Sequence, residues 1–166
     1  MDNSPRVLIM MGSDSDLTVM QEAVDILAKF GVPYEIRISS AHRSPARTMT
    51  LASEAAGRGI RIIIAGAGMA AHLAGFVAAA TTLPVIGVPM PVGALNGVDA
   101  LYSTVQMPGG IPVATMAIGK AGAKNAALFA VQILALTDAR LDEAIGVYRS
   151  EMDQEVGQKD AALQSR

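Results

Sequence analysis

The sequence predicts an α/β fold: a doubly wound parallel sheet with helices on both faces and a C-terminal helical arm. Three observations predict it. Short apolar runs bounded by Gly, Pro and Ser recur along the first 118 residues. Between them stand segments whose apolar residues fall at helical spacing, the alternation that yields βαβ units and right-handed crossovers. The chain is also large and apolar enough for one such domain, with 166 residues, 51% hydrophobic and 17% charged. A chain near that length buries roughly 68–70% of its unfolded surface.

Val7 to Met11 is a continuous apolar run, which suits a strand covered on both faces. It ends in Gly12-Ser13-Asp14-Ser15-Asp16. Leu17, Met20, Ala23, Val24, Leu27 and Phe30 then mark a helix, with Gly31 at its C-terminal stop. Tyr34 to Ile38 alternates as a second strand. Ser44 caps a helix with Pro45 at its first position, and that helix runs to about Ala56. Ile60 to Ala65 is a third strand, and Gly66-Ala67-Gly68-Met69 leads into a small-residue helix through Ala80. Val85 to Val88 and Pro112 to Ile118 are the fourth and fifth strands. The Gly/Pro-rich connection between them carries a helical turn near Asp99 to Thr104. Gly122 to Leu136 is helical. These elements make a three-layer sandwich of flavodoxin or Rossmann type over residues 1–137.

Residues 138–166 differ. Leu141, Ile145, Tyr148, Met152 and Val156 recur every three to four positions with charge between them. This helix either packs on its own domain or reaches a neighbouring subunit.

Charge excludes several functions. Net charge is −2, so no basic field exists to hold a nucleic-acid backbone. Cysteine is absent, which removes disulfides, thiol nucleophiles and cysteine-ligated zinc. With two histidines no metal cluster is expected. The first residues lack the pattern of a secretory signal, so a cytoplasmic protein is expected. Of 28 charged residues, ten lie in 140–166 and one, Asp99, in 62–119. Gly and Pro within and after Ile62 to Ala80 argue against a membrane span. An uncharged surface covered by copies of the same chain is the better reading, and a homo-oligomer is expected.

The first three strands each end in a loop with chemical capability. All three loops leave the sheet edge where open parallel sheets bind ligands. In the first, Gly12 permits a tight turn, and serine hydroxyls with free backbone N–H groups at a helix start suit an anion. Asp16 suits a sugar diol. A purely structural role would have Ser15 or Asp16 only cap the helix. Without a Gly-Lys-Ser/Thr ending the loop is no Walker A motif. In the second, Ser40-Ala41-His42-Arg43, the Arg43 fork suits a phosphate and His42 a proton transfer near neutral pH. The third, Gly66 to His72, fits G-x-G-x-x-A, but no acid follows about 20 residues on, so NAD is set aside. It leaves a smooth backbone wall whose one polar side chain is His72, either a site residue or a hydrogen-bonded structural histidine. Together the loops describe a cofactor-independent site for a small sugar phosphate.

The runs MGSDSD (11–16), SAHRSP (40–45), AGAGMAAHLAG (65–75), GVPM (87–90), VQMPGGIPVAT (105–115) and AIGKAGAKNAAL (117–128) closely resemble the class I bacterial N5-carboxyaminoimidazole ribonucleotide mutases, of the AIR carboxylase family of purine biosynthesis. The resemblance implies an octamer of flavodoxin-like subunits and no metal or organic cofactor. It implies a carboxylate shift from the exocyclic nitrogen of an aminoimidazole ribonucleotide to ring C4. By position, His42 becomes the general acid/base. Ser13, Asp16 and Arg43 bind substrate, with Arg43 and the serines on the phosphate and Asp16 on the ribose. Gly12, Ser15, Ser40, Ala41, Gly68, Ala71, His72 and Leu73 line the site. Met69 and Ala74 stand where the family usually has glycine and proline. Direct carboxylation by CO2, as in the class II enzymes, uses the same parts. A nucleotide-binding module would use the loops for binding without catalysis, and a purely structural assembly protein would use the uncharged stretch as interface alone.

Overall fold

A computed structural model describes residues 4–165. Five parallel strands run in the order β2-β1-β3-β4-β5, namely β1 Val7–Met11, β2 Tyr34–Ile38, β3 Ile62–Ala67, β4 Val85–Pro89 and β5 Ala114–Thr115. This is the flavodoxin-like order, in which the direction of travel reverses between β1 and β3. The helices are α1 Leu17–Lys29, α2 Pro45–Ser53, α3 Leu73–Ala80, α4 Val98–Val105, α5 Lys120–Ala135 and α6 Ala139–Gln164.

The central strands are apolar on both sides because both sides are covered: every residue of β1 and β4 is buried. Alternation sends Leu8, Met10, Ile63, Ala65 and Val85 into one core, where they meet Ala52 of α2 and Leu73, Ala74 and Val77 of α3. On the other face Met20 of α1 packs at Gly66, whose added Cβ would lie 2.7 Å from the Met20 sulfur. Gly87 brings α4 close to β4, since a Cβ there would meet the Thr104 methyl at 2.4 Å. β2 is an edge strand, and Ile36 and Ile38 stand exposed on it.

Several expected boundaries move. α2 ends at Ser53 rather than near Ala56, and a 3-10 turn at Ala56–Arg58 completes the segment before Gly59 at φ +90°. Ser44 sits at the N-cap but does not cap: its hydroxyl donates to the Ser40 carbonyl (3.1 Å) and accepts from the Ser40 N–H (3.0 Å). α3 starts at Leu73, because Met69 at φ +57° breaks any helix before it. The turn foreseen near Asp99 is a full helix, α4, entered through Gly97 at φ +89°. The fifth strand shrinks to two residues. It pairs with β4 alone, and Pro112 lacks the N–H a longer ladder needs.

By compactness the chain forms two units, one ending at Ala130 and one beginning at Val131, so the division falls within α5. The second unit is dominated by α6, 26 residues long, in which Leu141 and Tyr148 are buried while Val147, Met152, Val156 and Leu163 are exposed. Among the described residues no helix is long and apolar enough to cross a membrane.

Candidate active site

The loops after β1, β2 and β3 surround one cavity of about 440 Å³, at the edge where strand order reverses. That size suits a small ligand. Gly12, Ser13, Ser15, Asp16, Ser40, Ala41, His42, Arg43, Gly68, His72 and Leu73 all line it. Ala71 does not: it is buried, and its N–H donates to the Ser103 hydroxyl at 3.0 Å.

Strand pairing continues into the loops and sets their start points. The Ser39 N–H donates to the Met11 carbonyl (2.9 Å), and the Gly12 N–H to the Gly66 carbonyl (3.3 Å). In the first loop Ser13 is the N-cap of a 3-10 turn at Asp14–Asp16, and Asp16 stands at the N-cap position of α1 but makes no side-chain capping bond there. The Ser13 hydroxyl accepts from the Ser15 N–H, and the Asp16 carboxylate accepts in return from the Ser13 N–H at 3.2 Å. This reciprocal capping box holds the turn. Free backbone N–H groups are expected at this helix start, but the Ser15 N–H is occupied by Ser13 Oγ (3.3 Å) and Asp14 Oδ1 (3.0 Å).

Asp16 is the one buried carboxylate of the site. Burial pushes its pKa above the ordinary carboxylate value, and Asp14 adds to that. Hydrogen bonds from Ser13 and Gly12 and the charge of Arg43 oppose it.

The second loop closes on itself through Ser40 and Ser44, which leaves His42 and Arg43 at its tip. Arg43 Nη2 donates to the Gly12 carbonyl at 2.9 Å and so ties the second loop to the first. His42 Nε2 lies 2.8 Å from His72 Nδ1, with the rings edge to face at 83° and centroids 4.9 Å apart. His72 is therefore both of the things foreseen for it: it is hydrogen-bonded, and it lines the cavity. Its partner is the candidate acid/base. Among the described residues no three His, Cys, Asp or Glu side chains gather as a metal site.

The third loop supplies the apolar wall, Ala67, Gly68, Ala70 and Leu73, with Val92 beside it. Gly68 is needed there, because a Cβ would come within 2.2 Å of the Val92 side chain. The cavity thus joins a guanidinium, a carboxylate, serine hydroxyls and an imidazole pair on one side with an apolar wall on the other.

A family model described as AIR carboxylase matches residues 6–155. The chain belongs to the AIR carboxylase family. It is 57% identical over 161 residues to a Synechocystis protein named N5-carboxyaminoimidazole ribonucleotide mutase, covering 97% of this chain and 90% of that one. The protein of the same name from Escherichia coli is 52% identical over 155 residues, covering 93% and 92%. A crystal structure of Treponema denticola PurE superposes with a TM-score of 0.86 at 32% identity, covering 96% of this chain and 98% of that one.

Sequence reasoning missed Val92 in this AIR carboxylase family chain. The signal was available, since the Gly/Pro-rich connection after β4 leaves from the same sheet edge as the three loops. Ser103 carried no signal: it is separated from the third loop by more than thirty residues, and only packing brings them together.

Proposed function

We propose that this chain converts N5-carboxyaminoimidazole ribonucleotide to 4-carboxy-5-aminoimidazole ribonucleotide in purine biosynthesis, as a cofactor-independent mutase. One observation carries the reading: a single cavity brings Arg43, Asp16 and His42 together in a member of the AIR carboxylase family. Arg43, Ser13 and Ser15 take the phosphate, the guanidinium by paired hydrogen bonds. Asp16 takes the ribose hydroxyls, while Gly12, Ser40 and Ala41 close around them. Gly68, His72 and Leu73 form the side of the site that faces the base, with Ala71 buried behind them.

The reaction balances without an external reagent. The exocyclic nitrogen gains a proton as its bond to the carboxylate carbon breaks, releasing CO2. Ring C4 then forms its bond to that carbon. C4 still carries its hydrogen, and His42 removes it to restore aromaticity. The proton gained at nitrogen and the proton lost at C4 cancel, so the net change is an isomerisation. The uncharged third-loop wall keeps CO2 beside C4, which is a proximity effect. An imidazole can both give and take a proton near neutral pH, which suits both transfers.

The same reading places the protein in the cytoplasm as a homo-octamer, with residues 1–137 catalytic and 138–166 a helix available to a neighbouring subunit. It is supported by the apolar residues left exposed on β2 and around α4. Leu95 is 60% and Tyr102 62% exposed, within a stretch whose one charge is Asp99.

The test is incubation of the purified protein with freshly made N5-carboxyaminoimidazole ribonucleotide, without ATP or metal, following the C4-carboxylated product by absorbance. The native protein is expected to turn over, and His42→Asn to lose about 10²–10⁴-fold in kcat. A folded native protein that binds the nucleotide without converting it would overturn the proposal. Incorporation of labelled bicarbonate during turnover would favour direct carboxylation instead.

A further inference from the structure

The contact between His42 and His72 depends on where the loop before α3 is held. Residues 68–72 belong to no helix or strand. Within them Met69 takes a left-handed backbone conformation at φ +57°, which is unfavourable for a residue with a side chain. A segment of this kind keeps its place only if its neighbours hold it.

Ser103 of α4 is such a neighbour. Its Oγ accepts from the Ala71 N–H at 3.0 Å and lies 2.9 Å from the Asp99 carbonyl. A serine in a helix commonly donates to the carbonyl four residues back, so the hydroxyl uses its hydrogen on Asp99 and a lone pair on Ala71. Ala71 is 1% exposed. Its N–H has no water to turn to, and loss of the acceptor strands a buried donor. α4 is itself a firm support. Thr104 packs against β4 in the space that Gly87 leaves, and its hydroxyl donates to the Ala100 carbonyl at 2.7 Å. The next residue after Ala71 is His72. Ser103 does not line the cavity, so whatever it does there it does through the loop.

We propose that Ser103 is a positioning residue that holds His72 against His42. Its hydroxyl anchors the Ala71 amide to α4, and the anchored backbone sets His72 Nδ1 at hydrogen-bond distance from His42 Nε2. Two ring nitrogens 2.8 Å apart have room for one proton between them, so this contact fixes which nitrogen of His42 remains for substrate. The catalytic consequence rests on the reading of His42 as the acid/base group; the structural consequence does not.

The experiment compares the native protein with Ser103→Ala, Ser103→Thr and Ser103→Val. Threonine keeps the hydroxyl, and valine has its shape without it. Ligand-free protein labelled with 15N-histidine is examined by NMR. The native and threonine proteins are expected to share one hydrogen-bonded ring signal linking His42 and His72, which the alanine and valine proteins lose. The Ala71 amide is expected to exchange at least about tenfold faster in those two. In turnover, kcat is expected to fall about ten- to a hundredfold, with KM changed by less than about threefold. A ring signal and Ala71 exchange unchanged in Ser103→Ala overturn the proposal, and so does a threonine protein as impaired as the valine one. If neither Ala nor Val variant folds, Ala71 exchange in the native protein decides: protection supports the anchor, and rapid exchange overturns it. Lack of turnover by the native protein sinks the mutase reading, while the ring signal and the exchange rate still judge Ser103.

Discussion

Asp16 illustrates how one side chain serves fold and site in opposing ways. As the far end of the capping box it accepts from the Ser13 N–H, yet burial penalises its charge. Its pKa is raised in the folded state, so the protonated form is the better tolerated one. Its contribution to stability is greatest below the unfolded pKa and declines as pH rises through the folded value. Asp16→Asn never ionises, so its melting temperature relative to the native protein should be higher at pH 7 than at pH 4; scanning calorimetry at both pH values checks this. The same variant should bind substrate more weakly, since the amide is a poorer acceptor for a diol. Met69 poses the converse problem. It is 58% exposed, lines the cavity and sits at φ +57°. Met69→Gly removes the left-handed strain but frees the unfolded chain, so stability should change by no more than about 1 kcal/mol. Activity should be equal or higher, because the wall opens. A large loss of kcat/KM would show that the methionine side chain holds substrate.

At the scale of elements, the positions that matter most are those where two segments nearly touch. Gly122, at the start of α5, has no room for any side chain: a Cβ would stand 1.6 Å from the Ala117 carbonyl oxygen. That neighbour is backbone and cannot rotate away. Gly122→Ala should therefore cost at least about 1–3 kcal/mol in urea unfolding, whereas Gly57→Ala, where a Cβ meets nothing, should be close to neutral. The periodic elements were legible because burial on one or two faces imposes a period; α1 and β1 needed no more than that. The late start of α3 was not legible, because it follows from one backbone dihedral at Met69. Ser44 was a plausible cap from its place before Pro45. In the fold its hydroxyl turns back to Ser40 and closes the loop that carries His42.

For the whole molecule, an exposed apolar surface this extensive is costly in water unless covered. Ile36 and Ile38 on the edge strand, and Leu95, Val98, Tyr102 and Val105 around α4, are all exposed. The purified protein should sediment as an octamer, and Tyr102→Lys should shift it to smaller species by placing a charge in that surface. A native protein that sediments as a monomer would end this reading.

The sequence by itself determined the strand and helix alternation, the parallel sheet and the three ligand-edge loops with Asp16, His42 and Arg43 on them. These depend on local patterning and on a topological rule, both of which are written along the chain. The fuller set of lining residues came from the family resemblance, and all of that set but Ala71 line the cavity. Tertiary structure alone decided that His72 meets His42, that Arg43 ties the second loop to the first and that Ser103 anchors Ala71. Each of these joins residues distant in sequence at ångström precision. Such contacts arise from how closely strands and helices pack, at Gly68 and Gly87 above all, and no periodicity encodes them.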